Sequence, residues 1–206
     1  MNDIYTHRIE IYTASLLIAG AYDLTIYRRV SDAINGEQRR YIPLRDATIA
    51  PIERAQQAQQ VPHLLVDRHE ALLVATVQEA TPPLEYAREE QMRGVVPIVA
   101  MFFTAAFVVR ATFYKRPDLT LPEALERFND DFVPLREIQV FPLLSSFPPL
   151  QRDFAALARE RIVAFYLVSE PPPISPPAPP AQAAPTAEPA PVGEPLDAVT
   201  VQGDAP

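Results

Sequence analysis

The sequence has no cysteine and no tryptophan, and it has only one lysine, three histidines and five glycines in 206 residues. Without cysteine there can be no disulfide, no thiolate metal site and no cysteine nucleophile. Five glycines leave little material for a phosphate-binding loop, and no Walker, dinucleotide-binding or nucleophile-elbow pattern occurs. The histidines His7, His63 and His69 lack the i, i+4 spacing of a helical metal site. We therefore predict no enzymatic activity, no catalytic residue, no metal and no cofactor.

Basic charge is also scarce, since the formal net charge is −8. Four acidic residues and no basic ones fall after residue 170, so the preceding part carries the remaining −4. A mildly acidic body argues against nucleic acid as a partner, because phosphate binding needs a basic surface. The longest apolar run, Val95 to Val109, has 15 residues and is short for a membrane-spanning helix. With no signal-peptide pattern at the N-terminus, we expect a cytoplasmic protein that does not bind membranes.

An internal repeat is the most informative feature that is present. Residues 9–79 align without a gap on residues 100–170, with 11 identities at an offset of 91 residues. The best-matched segments are Tyr41-Ile42-Pro43-Leu44-Arg45 and Phe132-Val133-Pro134-Leu135-Arg136. The shared Pro-Leu-Arg and the matching apolar pattern indicate a duplication, although two unrelated β segments with coincident spacing remain the alternative.

Each repeat contains five stretches with the alternation or β-branched content of strands, and one short helical segment between the second and third. The fold class that we predict is mostly β, with tandem duplicated five-stranded barrel-like (SH3/Sm-like) domains, because closure would remove exposed strand edges. An open α+β sheet is the rival. The predicted boundaries are 1–79 for the first domain, 80–94 for a helical linker, 95–170 for the second domain and 171–206 for a tail. The Pro- and Ala-rich composition predicts that this acidic tail is disordered.

Short motifs in the repeat are similar to those of a bacterial family known as a domain of unknown function, present here as two tandem copies. The segments are Ile11-Tyr12-Thr13, Val30-Ser31-Asp32 and Tyr41-Ile42-Pro43-Leu44, whereas the second repeat has Leu121-Pro122-Glu123 in place of the serine and aspartate. The strand order also loosely resembles the Sm-like barrels. The resemblance implies a small β fold and carries no activity.

Four residues form the candidate interaction surface. Arg45 and Arg136 recur at matching positions, each followed by an acidic residue, and either contact a partner or form solvated ion pairs. Met101 and Phe103 lie in a predicted strand that is apolar on both faces, so we expect the second face to be covered by the first domain or by another copy of the chain. The sequence thus predicts a non-enzymatic protein-interaction or scaffold protein with a protein partner or self-association. A small-ligand or nucleic-acid-binding module of Sm-like type is the alternative.

Overall fold

A computed structural model describes residues 4–36, 39–83, 94–143 and 149–168. Most of the predicted linker and all of the predicted tail lie outside these residues. The described residues belong to one compact unit, Met1–Ser169. Among them, no helix is both long and apolar enough to cross a bilayer.

The described residues are mostly β, as predicted. The ten strands are β1 (Tyr5–Tyr12), β2 (Leu16–Leu24), β3 (Tyr41–Pro51), β4 (Gln59–Asp67), β5 (Leu73–Gln78), β6 (Val96–Phe103), β7 (Phe107–Lys115), β8 (Phe132–Pro142), β9 (Leu150–Ala158) and β10 (Ala164–Leu167). Two helices, α1 (Val30–Gly36) and α2 (Leu121–Glu126), follow β2 and β7, and short 3-10 turns precede β4, β5 and β10.

All ten strands join in one antiparallel sheet, in the order β10-β6-β7-β8-β9-β5-β1-β2-β3-β4. We call β1–β5 with α1 the first half and β6–β10 with α2 the second half. Corresponding elements begin 91 residues apart, as Tyr5 and Val96 or Tyr41 and Phe132 do, and both halves have the same strand order. Pro43 and Pro134 therefore occupy corresponding positions, opposite Leu65 and Ala156 on the neighbouring strand.

The expectation of two closed barrels is not met. Closing the first half would require β4 to pair with β5, but the free edge of β5 pairs with β9 of the second half instead. We call this β5–β9 pairing the seam. It leaves β4 and β10 as the two outer edges of an open sheet. The physical reason is that pairing between the halves satisfies one edge of each half as well as closure would.

Two hydrophobic cores lie on opposite faces of the seam. On β5, Leu73 and Ala75 pack into the core of the second half, while Val74 between them packs into the core of the first. On β9, Leu157 packs into the core of the second half and Ala156 packs into the core of the first. Because strand side chains alternate between faces, each seam strand is buried on both sides. The strand that was predicted to be buried on both faces is the one with Met101 and Phe103, not β5 or β9.

Local sequence signals account for several of the remaining features. Gly20 lies at a bulge, where the β2–β3 register shifts between Ala19 and Ala21. A methyl group at Gly20 would lie 3.1 Å from the Leu44 Cβ atom. Thr120 caps α2, since its hydroxyl accepts a hydrogen bond from the backbone N–H of Glu123, and the Glu123 carboxylate accepts one from the Thr120 N–H.

Candidate functional site

The seam holds the most extensive polar contact between the two halves. The Arg152 guanidinium on β9 reaches Glu10 on β1, with Nη2 2.7 Å from Oε2 and 2.8 Å from Oε1. The Tyr12 hydroxyl donates to the same carboxylate at 2.6 Å. Burial raises the pKa of Tyr12, and the Glu10 charge raises it further. The three side chains therefore form one polar cluster, in which the Glu10 carboxylate pairs with the Arg152 guanidinium and accepts the Tyr12 hydrogen bond.

Further contacts tie the helix and turns of the first half to the second half. The Asn35 side chain donates to the Phe132 carbonyl and accepts from the Phe132 N–H, both at 2.9 Å, as a neighbouring strand would. Arg68 forms an ion pair with Asp131 at 2.8 Å and lies 5.3 Å above the Phe132 ring. An Arg161–Glu70 ion pair at 3.9 Å crosses the same boundary. The halves are thus held by side chains as well as by the β5–β9 ladder.

A cleft of about 270 Å³ opens at the seam. Its lining includes Arg29, Glu79, Arg136, Asp153 and Phe154. Among the described residues, no carboxylate forms an ion pair with Arg136. The cleft could accommodate a small ligand with an anionic group, but its own two carboxylates would oppose an extended polyanion.

Beside this cleft lies a buried histidine, His7, whose corresponding position in the second half holds Ile98. His7 is fully buried, and its Nδ1 atom accepts a hydrogen bond from the Ala80 N–H at 3.2 Å. The Nε2 atom has no hydrogen-bond partner among the described residues. Burial lowers the pKa of His7, and the charge of Glu79 only partly opposes that shift. Burial therefore favours the neutral imidazole, and protonation of His7 at lower pH would place a charge in the interior of the first half.

The recurrence of Arg45 and Arg136 has a backbone explanation. The residue after each arginine has a positive φ, +46° at Asp46 and +51° at Glu137. Both occur where the pairing register shifts, between Ala19 and Ala21 or between Arg110 and Thr112. Such bulges are stable features of sheets, and an aspartate tolerates the left-handed conformation better than most residues.

The two arginines differ in their partners. Arg45 forms a bidentate ion pair with Asp23 on the adjacent strand β2, with Nη2 3.0 Å from Oδ1. The hydrogen bonds from Arg45 lower the pKa of Asp23. The solvated cross-strand ion pair considered for this position is therefore present, whereas Arg136 instead faces the seam cleft. The structure does not bring these two arginines together into one surface.

Met101 and Phe103 lie on the outer part of the second half, on β6 between β10 and β7. Both side chains are half-buried, while Ala100 and Phe102 on the opposite face are in the core. The Phe103 ring lies 6.0 Å from the ring of Tyr166 on β10. The expectation that the first domain covers this face is wrong within one chain, because β9 rather than β6 meets the first half.

The residues that define the seam and the outer edges were not among those predicted from the sequence. Leu65 on β4 and Tyr166 on β10 are exposed, with 65% and 52% of their surface accessible. Arg152 and Glu10 were overlooked because their contact spans 142 positions. A signal did exist: the repeat replaces Glu10, Tyr12 and Arg152 with Met101, Phe103 and Val61, so a polar cluster changes to apolar residues at all three places.

Comparison of the chain with protein-family models, with curated proteins and with solved structures found no match. In the part of the chain that the structure describes, no cluster of three or more His, Asp or Glu side chains is arranged to hold a metal ion.

Proposed function

We propose that this chain is a non-enzymatic protein-interaction or scaffold protein that acts in the cytoplasm and binds partners at its two outer sheet edges. The observation that carries the proposal is that exposed apolar side chains lie on these edges. Leu65 is exposed on β4, and Val163, Tyr166 and Leu167 are exposed at or next to β10. Within the described residues, no strand pairs with the outer side of either β4 or β10.

Unpaired edges with apolar side chains attract additional strands. Soluble proteins usually protect an edge with charges, prolines or a covering segment. Here β4 carries Pro62 and His63 in its middle, but the residues Leu64, Leu65 and Val66 that follow have neither charge nor proline. On β10 the four residues Ala164–Leu167 carry no charge. Main-chain pairing with a partner strand would supply affinity at such an edge, and the exposed side chains would supply specificity.

An affinity-capture experiment on the full chain tests this function. The double variant Leu65→Lys/Tyr166→Lys places a charge on each edge, and Ile26→Lys is a matched control because Ile26 is also 65% exposed but lies outside both edges. We expect cross-linked partners to be recovered with the wild type and with Ile26→Lys and to be lost with the double variant. Equal recovery with all three chains would refute binding at the edges.

A second candidate function is binding of a small anionic ligand in the seam cleft. It is supported by Arg136, which makes no ion pair with a described residue and shares the cleft with Arg29 and the Phe154 ring. Guanidinium groups suit carboxylate and phosphate ligands, and an aromatic ring can stack on a planar one. Calorimetric titration of ATP and of citrate into the wild type and Arg136→Gln tests it. Binding that Arg136→Gln weakens about tenfold supports the idea, whereas no heat of binding with either ligand contradicts it.

A further inference from the structure

We propose that the chain assembles head to tail with copies of itself, with β10 of one copy pairing antiparallel with β4 of the next. This inference rests on the proposed edge function and names the occupant of each edge. The new interface would repeat between two copies the seam that β5 and β9 form within one chain. The strands correspond at the offset of 91 residues, β10 to β5 and β4 to β9. The two unpaired strands are therefore the counterparts of the two strands that already pair.

The seam defines the register of the proposed pairing. Within the chain, Leu73 lies opposite Leu157 and Thr76 lies opposite Phe154. The corresponding pairs between copies are Ala164 with Val66, Phe165 with Leu65, Tyr166 with Leu64 and Leu167 with His63. None of these residues is a proline, so each has a backbone N–H that can contribute to a ladder. Pro62 would lie just beyond the last pair.

The second half carries an apolar surface that matches the one the first half uses at the seam. Six residues of the first half pack into the core of the second half: Tyr12, Leu17, Ile52, Leu72, Leu73 and Ala75. All six are buried or half-buried. Their counterparts are Phe103, Val108, Leu143, Val163, Ala164 and Tyr166. All six counterparts are apolar as well, yet two are only half-buried and the other four are exposed.

The first half carries the complementary surface. Phe132, Ala156 and Ala158 of the second half pack into the core of the first half across the seam. The counterparts of Phe132 and Ala156 are Tyr41 and Leu65, which are large, apolar and exposed. The counterpart of Ala158 is Asp67, whose carboxylate pairs with Arg40. Most of the apolar surface that the seam buries is thus present a second time, and no strand among the described residues covers it. Apolar surface of this kind is characteristic of an interface, since isolated soluble domains rarely expose it as a contiguous patch.

The polar cluster of the seam is replaced on both sides of the proposed interface. Glu10 and Tyr12 correspond to Met101 and Phe103 on one outer surface, and Arg152 corresponds to Val61 on the other. A change on one side alone would leave a buried charge without a partner, which is strongly unfavourable. Here the charges are missing from both sides and apolar groups stand in their places. The half-buried face of Met101 and Phe103 would thereby gain the cover that its apolar character requires.

Charged residues at the margin set the strength of the interface. The counterpart of the seam ion pair between Glu70 and Arg161 is Arg161 with Glu70 of the next copy; these charges are opposite, and each also pairs across its own seam at 3.9 Å. The Arg68–Asp131 pair has no such equivalent, since Arg159 would approach Arg40. Arg40 already pairs with Asp67 at 2.9 Å, and Arg159 donates to the Phe128 carbonyl at 2.7 Å. We therefore expect an interface weaker than the seam, and assembly that depends on concentration.

Head-to-tail pairing has a consequence that symmetric pairing lacks. Each copy has one β4 edge and one β10 edge, so a heterologous contact continues until a ring closes or a filament forms. Blocking one edge on a chain leaves its other edge able to bind. Two chains with opposite edges blocked should therefore form one interface when mixed, although neither assembles alone.

Mass measurement by sedimentation of the full chain tests this with single-edge variants. We expect the wild type and the control Ile26→Lys to exceed the 23.0 kDa of one chain increasingly as concentration rises. Leu65→Lys and Tyr166→Lys should each remain at one chain. Their equimolar mixture should form a complex of two chains and nothing larger. Because both substituted side chains are exposed, folding should be retained; Leu65→Gln and Tyr166→Gln provide a milder pair if it is not.

Three outcomes would overturn the proposal: a wild type that stays at 23.0 kDa at every concentration, a single-edge variant that dimerises alone, or a mixture that remains monomeric. The second outcome would indicate symmetric pairing of identical edges. A monomeric wild type whose captured partners are still lost with the double variant would refute self-assembly and leave the proposed edge function intact. If the wild type self-assembles but the double variant still captures the same partners, self-assembly is supported and partner binding at the edges is refuted.

Discussion

The two halves of this sheet have the same strand order but different relations to their surroundings. The first half buries its β5 edge and the neighbouring apolar residues against the second half, whereas the second half leaves the corresponding β10 edge exposed. At the seam, Glu10, Tyr12 and Arg152 form a polar cluster, and the corresponding outer positions are apolar. The comparison shows that the two halves share a strand order while the chemistry of their corresponding surfaces differs.

The largest expected effect comes from placing the same new side chain at two corresponding positions. Ala156 is fully buried at the seam, and its counterpart Leu65 is exposed. We expect Ala156→Asp to destabilise the fold by roughly 3–5 kcal/mol, because an unpaired carboxyl group would be buried. Leu65→Asp should change the stability of the dilute monomer by less than about 0.5 kcal/mol. Urea denaturation of both variants measures the difference, and equal losses would contradict the distinction between seam and edge.

A second experiment converts the seam to the composition of the outer surfaces. Arg152→Val alone removes the partner of Glu10 and should cost about 1.5–3 kcal/mol, the usual loss for a hydrogen bond to a charged group. The triple variant Glu10→Met/Tyr12→Phe/Arg152→Val reproduces Met101, Phe103 and Val61. Since apolar residues can replace a buried ion pair without loss, we expect it to recover most of that stability. A triple variant less stable than Arg152→Val would show that the two interfaces are not equivalent.

The sequence was sufficient to predict the elements but not how they connect. The alternation around Ile9 and Ile11, the proline in Tyr41–Pro51 and the capping residues of α2 are local signals, and these elements formed. The segment Phe154-Ala155-Ala156-Leu157 favours a helix by its composition, yet it lies in β9 because the seam needs small residues between two cores. Closure was predicted wrongly because nothing in a single repeat distinguishes its own β4 edge from that of another repeat.

The candidate surface is less accessible to sequence reasoning than the strands are. Met101 and Phe103, which the two-faced apolar pattern singled out for an interaction surface, are half-buried in the structure, and their contact with a partner stays a prediction. The pairing of Arg45 with Asp23 could not be predicted, because it depends on a bulge that brings two strands into a particular register. Leu65 and Tyr166 were missed because exposure is a property of the sheet order rather than of the residue.

A smaller effect distinguishes the cores of the two halves by their response to pH. Burial lowers the pKa of His7, so the folded chain favours the neutral imidazole while the unfolded chain binds a proton near the ordinary pKa of about 6.5. His7 therefore does not reduce the free energy of unfolding above pH 6.5. Below pH 6.5 the unfolded chain binds the proton more readily, and the free energy of unfolding falls by at most about 1.4 kcal/mol per pH unit. His7→Ile introduces the residue found at the corresponding position, Ile98.

Denaturant unfolding of the wild type and His7→Ile at pH 7.5 and pH 5.5 measures this contribution. We expect the wild type to lose more stability between the two values than the variant does. The difference between the two losses isolates His7 from the carboxylates, which are common to both chains. An identical loss in both chains would mean that His7 is not held neutral in the folded state.

The smallest effect concerns the two bulges with positive φ. Asp46 forms an exposed contact with Arg45 at 3.5 Å, whereas Glu137 accepts a hydrogen bond from the Thr112 hydroxyl at 2.7 Å. Glycine adopts the left-handed conformation without strain, although it increases the entropy of the unfolded chain. We therefore expect Asp46→Gly to raise the free energy of unfolding by about 0.5 kcal/mol and Glu137→Gly to leave it nearly unchanged, since relief of strain there is offset by the lost hydrogen bond.

Asp46→Val, which introduces a β-branched residue, should lower the free energy of unfolding by more than about 1 kcal/mol. Thermal unfolding of the three variants orders these effects. If Asp46→Val is as stable as Asp46→Gly, the bulge does not hold residue 46 at a positive φ, and the recurrence of an acidic residue after each arginine would need a different cause.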